Sequence, residues 1–443
     1  MGWALAQVCG TVTQAAAHTL ALRDPRACSE TYCGHWSRIG AVLWSMELLA
    51  RRRCGVTASK RDGGYLRQIS SSRQCLQRDM MNSFSSKCGF FPDEVVLQIL
   101  SRLPVKSLFR TKCVCKSWLR LISDSYFTKL YNEISTRNPM VLVEISNPSS
   151  ESRPSLILVD NLRGVSEFSL DFMKDRVKIR ASCNGLLCCS SIPDKGVYYV
   201  CNPMIREYRL LPRTRERPVT RFYPDGEATL VGLAGNMSAR KYNVVLAGYH
   251  RAFGHRPERT FICMVFDSES NKWRKFVTLQ DDHFTHMNKN QVVFINGALH
   301  WLTSSGACVL VLDLESEIWR KIHLPDQVTA EGGNRVYLLE SEGKLSVVRI
   351  SDVWMSIWVM EDYEGEKWCM LDRVSLRCIR GMVPGVFPIS QTNGCVFLAT
   401  HKQVLVYQRK TCVWMEMYSV KDAATLPLWF SAHAFRGTIL SCQ

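Results

Sequence analysis

The sequence lacks the features that define several large protein classes. Spanning a bilayer takes about twenty apolar residues, yet the longest apolar run near the start, Ile39 to Ala50, is about twelve residues and contains Glu47. No membrane partner is expected. No long run of Lys or Arg marks a nucleic-acid groove, so no nucleic-acid partner is expected either. There is no phosphate-binding loop, serine elbow or HExxH spacing, the assemblies on which NTPases, α/β-hydrolases and zinc proteases build their chemistry. No catalytic residue and no cofactor are expected.

Cysteine is plentiful, at 19, but regular spacing is missing. A disulfide framework belongs to short secreted chains, whereas thiols scattered through 443 residues read as reduced and mostly buried. Cys113 with Cys115, and Cys188 with Cys189, stand too close together for a zinc knuckle and have no second Cys pair nearby. His283 and His286 beside Asp281 and Asp282 make a conceivable metal cluster. Two histidines three apart in a loop are nevertheless common by chance, and no metal is expected.

The length exceeds that of one ordinary domain. The formal charge of +16 is uneven: residues 1–80 carry 11 Lys and Arg against 5 Asp and Glu, which leaves +10 for the remaining 363 residues. Such a mildly basic surface fits acidic partners as well as nucleic acid, and the charge alone speaks to steering and solubility rather than to fold. Residues 1–80 show no sustained periodicity and are rich in Arg and Ser. They read as a transit peptide, as a disordered arm, or as a stretch joined upstream of a start at Met80 or Met81.

From Phe90 the text becomes FFPDEVVLQILSRLPVKSLFRTKCVCKSWLRLI. Pro92 suits a first helical position, and Asp93 and Glu94 suit the positive end of the helix dipole. Val96, Ile99, Leu100 and Leu103 fall at i, i+3, i+4 and i+7, and Pro104 stops the helix. A second helix is predicted over 105–110 and a third over 113–123, where Val114, Trp118 and Leu121 share a face. So small a unit buries little surface. Apolar residues left exposed on it are therefore better explained by a partner than by chance.

These residues carry a resemblance. Phe91-Pro92, Ile99-Leu100, Leu103-Pro104, Leu108, Val114 and Trp118 resemble the F-box pattern Leu-Pro, Ile-Leu, Leu-Pro, Leu, Val and Trp at these spacings, with Phe91 in place of the usual Leu. The resemblance implies that a module over 90–134 binds the Skp-type adaptor of an SCF ubiquitin ligase and, through it, a cullin. Pro92, Leu100, Leu103, Pro104 and Leu108 are the expected adaptor contacts. Ile99, Val114 and Trp118 are expected mostly to hold the module together, with Lys106, Arg110 and Lys116 at a polar rim.

Beyond Tyr131 the pattern changes to short strands rich in Val, Leu, Tyr and Phe, with no long amphipathic helix up to residue 443. An acidic or amide residue is followed six positions later by an aromatic in Asn202/Tyr208, Asp267/Trp273, Asp313/Trp319, Asp362/Trp368 and Gln408/Trp414. The last four aromatics lie 46, 49 and 46 residues apart. A turn signal precedes four of the pairs: Asn184-Gly185, Asn296-Gly297, Glu342-Gly343 and Asn393-Gly394.

A period near 47 with four strands per unit is the arithmetic of a propeller blade. It resembles the kelch-like, F-box-associated domains that follow F-boxes in many plant proteins, although the paired glycines of standard kelch repeats are missing. The fold expected is thus mainly β with a small α module: a three-helix F-box, then a kelch-like β-propeller over 138–443 with six blades, seven also being compatible. The strand around 428–435 is expected to close the ring against 140–145.

The repeated tryptophans read as packing between blades. The loop from Arg206 to Pro224 holds Arg206, Arg209, Arg213, Arg215, Arg217 and Arg221 against only Glu207 and Glu216. It reads either as a solvated cationic loop or as a target-binding surface, in which Arg213, Arg215, Arg217 and Arg221 would hold an acidic or phosphorylated segment. The function implied is the non-catalytic, target-choosing subunit of a ubiquitin ligase working in the cytoplasm or nucleus. A propeller that binds a small ligand and a scaffold without a degradative role are the alternatives.

Overall fold

The computed structural model describes residues 93–103, 105–136, 140–146, 153–160, 164–193, 195–214, 218, 230–236, 241–249, 261–279, 287–303, 308–329, 335–420 and 429–443. Two compact units divide the chain, Met1–Tyr131 and Asn132–Gln443.

Four helices run from residue 93 to residue 136. Asp93 and Glu94 open α1 (Asp93–Leu100), which ends three residues before the expected stop because Arg102 and Leu103 tighten into i+3 turns. The next two are α2 (Val105–Thr111) and α3 (Lys116–Ser123). Cys115 caps α3, its sulfur accepting the Trp118 amide at 3.4 Å. A fourth helix, α4 (Ser125–Thr136), was not expected. Its start is marked by Asp124, whose carboxylate accepts the Tyr126 amide at 2.7 Å.

The larger unit is six four-stranded antiparallel sheets. Blade 1 holds β1 (Met140–Ser146), β2 (Ser155–Asp160) and β3 (Gly164–Phe168). Blade 2 holds β4 (Val177–Cys183), β5 (Leu186–Ser191), β6 (Tyr198–Asn202) and β7 (Glu207–Leu210). In blade 3 come β8 (Leu230–Asn236), β9 (Lys241–Tyr249), β10 (Phe261–Asp267) and β11 (Lys272–Leu279). Blade 4 follows with β12 (Met287–Ile295), β13 (Ala298–Thr303), β14 (Cys308–Asp313) and β15 (Trp319–His323). Then come β16 (Arg335–Ser341), β17 (Lys344–Ile350), β18 (Trp354–Asp362) and β19 (Lys367–Ser375) in blade 5. Blade 6 holds β20 (Phe387–Gln391), β21 (Cys395–Ala399), β22 (Gln403–Gln408) and β23 (Val413–Ser419). The last strand, β24 (Trp429–Phe435), returns to pair with β1 from Met140↔Phe435 to Ser146↔Trp429. It supplies the inner strand of blade 1, closing the ring where the sequence placed the closure.

The inner strands β4, β8, β12, β16, β20 and β24 meet one another in turn around the axis. The middle strands read as unbroken apolar runs because both of their faces abut a neighbouring blade: every residue of β5, β6, β13 and β21 is buried. The outer strand β19, by contrast, has a single buried residue, Val374. The core is therefore six clusters, one between each pair of blades.

Each repeated aromatic opens an outer strand and packs back onto the blade before it. Tyr208 lies against the cluster of blades 1 and 2, Trp273 that of 2 and 3, Trp319 of 3 and 4, Trp368 of 4 and 5, and Trp414 of 5 and 6. The Trp273 indole donates to the Pro212 carbonyl at 2.6 Å, just beyond the outer strand of the preceding blade, and that of Trp368 to the carbonyl of His323, the last residue of such a strand, at 3.0 Å.

In four of the five pairs the polar member makes the turn. Asn202, Asp267, Asp313 and Asp362 each accept a backbone amide two residues on, at 2.8 to 3.2 Å. Four positions after each pair's first residue the chain enters the left-handed region, at Arg206, Asn271, Glu317, Glu366 and Cys412. Non-glycine residues pay about 1 kcal/mol for that conformation, and the side-chain bonds of the turn offset it.

The other set of turns tests how tightly the ring is closed. Gly185 and Gly297 both follow an Asn at positive φ, with φ of +81° and +78°. A Cβ on Gly297 would meet nothing within 4 Å, whereas one on Gly185 would collide with the Arg436 carbonyl and the Thr438 side chain. Gly297→Ala is expected to lower stability by about 1 kcal/mol through backbone strain alone. Gly185→Ala is expected to cost at least about 2 kcal/mol, since the terminal segment must shift as well. Urea unfolding of the two variants side by side checks this, and equal losses would refute the contact.

Candidate functional site

Two surfaces carry the chemistry, one on each unit. In the helical unit Val96 and Leu100, four apart on α1, face inward with Val105 and Leu108 of α2, Ile122 of α3, and Phe127 and Tyr131 of α4. The Tyr131 hydroxyl donates to the Leu103 carbonyl at 3.1 Å, tying the turn after α1 to α4.

This arrangement corrects the expected division of labour. Leu100 and Leu108 are 0% exposed and belong to the interior, not to an outer edge. Ile99, Val114 and Trp118, expected inside, are partly exposed. The reason is helical geometry: burial centres on the Val96/Leu100 pair, and Ile99 lies on its flank. Leu103 keeps part of its surface exposed. Pro92 and Pro104 lie outside the described residues.

Sequence reasoning missed the apolar side chains that remain most open here: Val95, Leu119 and Tyr126, at 42%, 45% and 62% exposure. Arg110, Lys116 and Arg120 are exposed among them. The signal for α4 was in the sequence, in Phe127, Leu130, Tyr131 and Ile134 at helical spacing behind Asp124.

In the propeller the arginine-rich segment divides. Arg206 pairs with Asp171 at 2.9 Å and lies over the Phe172 ring. Arg209 donates to the Ser268 carbonyl at 3.0 Å and reaches the Phe266 ring of blade 3. Both hold the fold. Arg213 is exposed and rims a cavity of about 430 Å³ on blade 2. Arg215, Arg217 and Arg221 lie outside the described residues, as do His283, His286, Asp281 and Asp282. Among the described residues no group of three His, Cys, Asp or Glu side chains could hold a metal ion, and no helix is long and apolar enough to cross a membrane.

Residues 91–130 match the F-box domain, and residues 134–426 match the F-box associated beta propeller domain. The chain belongs to the plant F-box proteins with an F-box-associated propeller. F-box protein At5g49610 of Arabidopsis thaliana is 66% identical over 362 residues, covering 81% of this chain and 99% of that one. Two others from the same plant are more distant. F-box protein At5g07610 is 26% identical over 346 residues, 74% of this chain and 76% of its own. F-box/kelch-repeat protein At4g19930 is 24% identical over 352 residues, again 74% and 76%. Among solved structures, a nidogen/laminin complex is similar at a TM-score of 0.36, with 9% identity over 67% of this chain and 99% of that chain.

The titratable groups inside this F-box protein's propeller are built for packing. His300, 0% exposed, donates from Nδ1 to the Val293 carbonyl at 3.2 Å and accepts the Tyr363 hydroxyl on Nε2 at 2.6 Å. Those partners fix the neutral tautomer. Burial, with Arg320 nearby, pushes its pKa down to about 4.

A histidine lowered in the folded state binds fewer protons than in the unfolded one between those two pKa values. Stability is then full above about pH 6.5 and is lost as pH falls toward 4. The expected loss is on the order of 3 kcal/mol. His300→Asn should flatten the dependence of the urea midpoint between those pH values, and an unchanged slope would refute the assignment. His433 is lowered in the same direction, to about 4, first by burial and then by Lys178, and contributes in the same pH window.

Proposed function

We propose that this F-box protein is the substrate-recognition subunit of an SCF-type ubiquitin ligase, its F-box binding a Skp-type adaptor and its propeller binding the target. The observation that carries the reading is the match at residues 91–130 together with the open apolar residues of that unit, Val95, Leu119, Tyr126 and part of Leu103. A few apolar anchors inside a cationic rim suit a groove on an acidic partner, and Arg110, Lys116 and Arg120 supply that rim.

On this reading the chain makes no bonds itself. Holding a target lysine near a loaded conjugating enzyme converts a bimolecular encounter into a nearly unimolecular one. Its own groups suit that passive role. Burial pushes the Cys188 thiol up to about 12 and that of Cys183 to about 11, far from a nucleophilic thiolate at neutral pH. His300 stays neutral and enclosed. The site of action is the cytoplasm or nucleus, where reduced thiols persist.

The test is affinity purification of the tagged chain from plant cells in which the cullin is inhibited. The adaptor and cullin should be recovered with it, and a target should accumulate in the same fraction. Recovery of the folded chain without any adaptor would sink the proposal.

A further inference from the structure

We propose that the cavity on blade 2 is the target-docking site, and that it takes an acidic, unphosphorylated peptide segment carrying one apolar side chain. The proposal rests on the receptor reading above and supplies the site and the chemistry that reading leaves open.

The cavity, about 430 Å³, lies where the segment following β5 meets the end of β7. That volume admits one large side chain and its neighbouring backbone. Its apolar wall is Ile192, Val197, Leu210 and Pro212. Leu210 is 56% exposed, a large aliphatic side chain left open at the mouth of a cavity.

Charge complementarity selects the occupant. Three charged residues line the cavity: Asp175, Lys195 and Arg213. The Asp175 carboxylate is already engaged by the Tyr199 hydroxyl from the buried side. That phenol is pushed above its usual pKa, first by burial and then by Asp175, so it stays a hydrogen-bond donor. Lys195 and Arg213 are exposed, and among the described residues neither has an ion-pair partner. Two open cations beside an apolar wall call for carboxylates flanking an apolar residue. The Arg213 fork takes one carboxylate bidentately, and Lys195 takes another as a point charge.

Among the described residues, the other arginines of this stretch are already engaged. Arg206 is paired with Asp171, and Arg209 is bonded to the Ser268 carbonyl. That contrast separates a held pair of cations from an open one along a single stretch of chain.

The experiment uses the full chain co-purified with its adaptor and three pools of short fluorescent peptides. In the first, Glu and Asp flank one Leu or Phe; in the second, Lys replaces every acid; in the third, phosphoserine replaces them. Fluorescence anisotropy should show the acidic pool binding, the basic pool not binding, and affinity falling steeply as salt rises. Lys195→Glu with Arg213→Glu should weaken binding at least about tenfold, and Leu210→Asp by a similar factor. Adaptor recovery and thermal stability should be unchanged in both variants.

Equal binding of the acidic and basic pools, or undiminished binding by the charge-reversed chain, would overturn the proposal. Phosphoserine peptides binding more than about tenfold tighter than the acidic pool would reassign the cavity to phosphorylated segments and overturn it as stated. Complete displacement of the peptide by an equal concentration of citrate would overturn it in favour of a small-ligand pocket. Failure of the receptor reading itself would be seen separately, as wild-type chain that recovers no adaptor.

Discussion

Replacing Leu103 and Pro104 together by alanine is expected to cut recovery of a Skp-type adaptor by at least about a hundredfold while the propeller stays folded. Leu103 sits at the end of the turn after α1 with part of its side chain open. What fixes that turn is the bond from the Tyr131 hydroxyl to the Leu103 main-chain carbonyl, which alanine retains. The substitution therefore removes an anchor without removing the tie. Leu100→Ala is the contrasting variant. Leu100 is completely buried, and its truncation should cost about 2 to 5 kcal/mol of the small unit's stability, so any loss of binding would come with loss of helical signal. Leu119→Glu offers an independent probe, since Leu119 is 45% exposed on α3 and supports no core. Co-purification with the adaptor, read beside circular dichroism, separates these cases. Undiminished recovery by the Leu103/Pro104 variant, with Leu119→Glu also undiminished, would remove the adaptor reading.

How much of this was legible in the sequence follows from where the physics is local. The Asn202, Asp267, Asp313 and Asp362 turns could be read because each side chain bonds the backbone two residues on. The aromatic six positions later could be read because its place in the blade repeats. Ring closure by 429–435 was readable for the same reason: a lone strand left over at the end has one blade to complete. Which apolar residues of the F-box face outward was not readable. A stripe of Val96, Ile99 and Leu100 defines an apolar arc, but the third dimension decides its centre, and burial fell on Leu100 while Ile99 stayed partly open. The arginine segment shows the same limit. Composition grouped Arg206, Arg209 and Arg213, whereas partners on other strands, Asp171 and the Ser268 carbonyl, took two of them and left the third at a cavity.

Ending the chain just before Trp429 is expected to abolish cooperative unfolding of the propeller, and ending it after Phe435 to lower stability by roughly 3 to 5 kcal/mol. The first truncation removes β24 entirely. Blade 1 then loses its inner strand, the ring loses the link between β20 and β4, and β1 is left with an open edge across seven paired positions. It also strips the buried Glu144 carboxylate of the Ser431 hydroxyl, bonded at 3.1 Å, while leaving it facing the Ile179 amide. A buried carboxylate that has lost part of its hydrogen bonding is costly to keep charged.

The second truncation is subtler, because every strand remains. It removes the carbonyls of Thr438 and Leu440, which accept from the fully buried Asn202 amide at 3.1 and 2.8 Å, and that of Cys442, which accepts the Tyr242 hydroxyl at 2.9 Å. Leu440 and Cys442 also leave the cluster that joins blades 2 and 3. Two buried donors losing their acceptors cost about 1 to 3 kcal/mol each, and the vacated apolar volume adds to that. Urea titration followed by tryptophan fluorescence should therefore show a broad, non-cooperative change for the shorter chain and a shifted but cooperative midpoint for the longer one. Equal midpoints for the longer truncation and the intact protein would mean that the terminal segment lies on the propeller without holding blades 2 and 3 together.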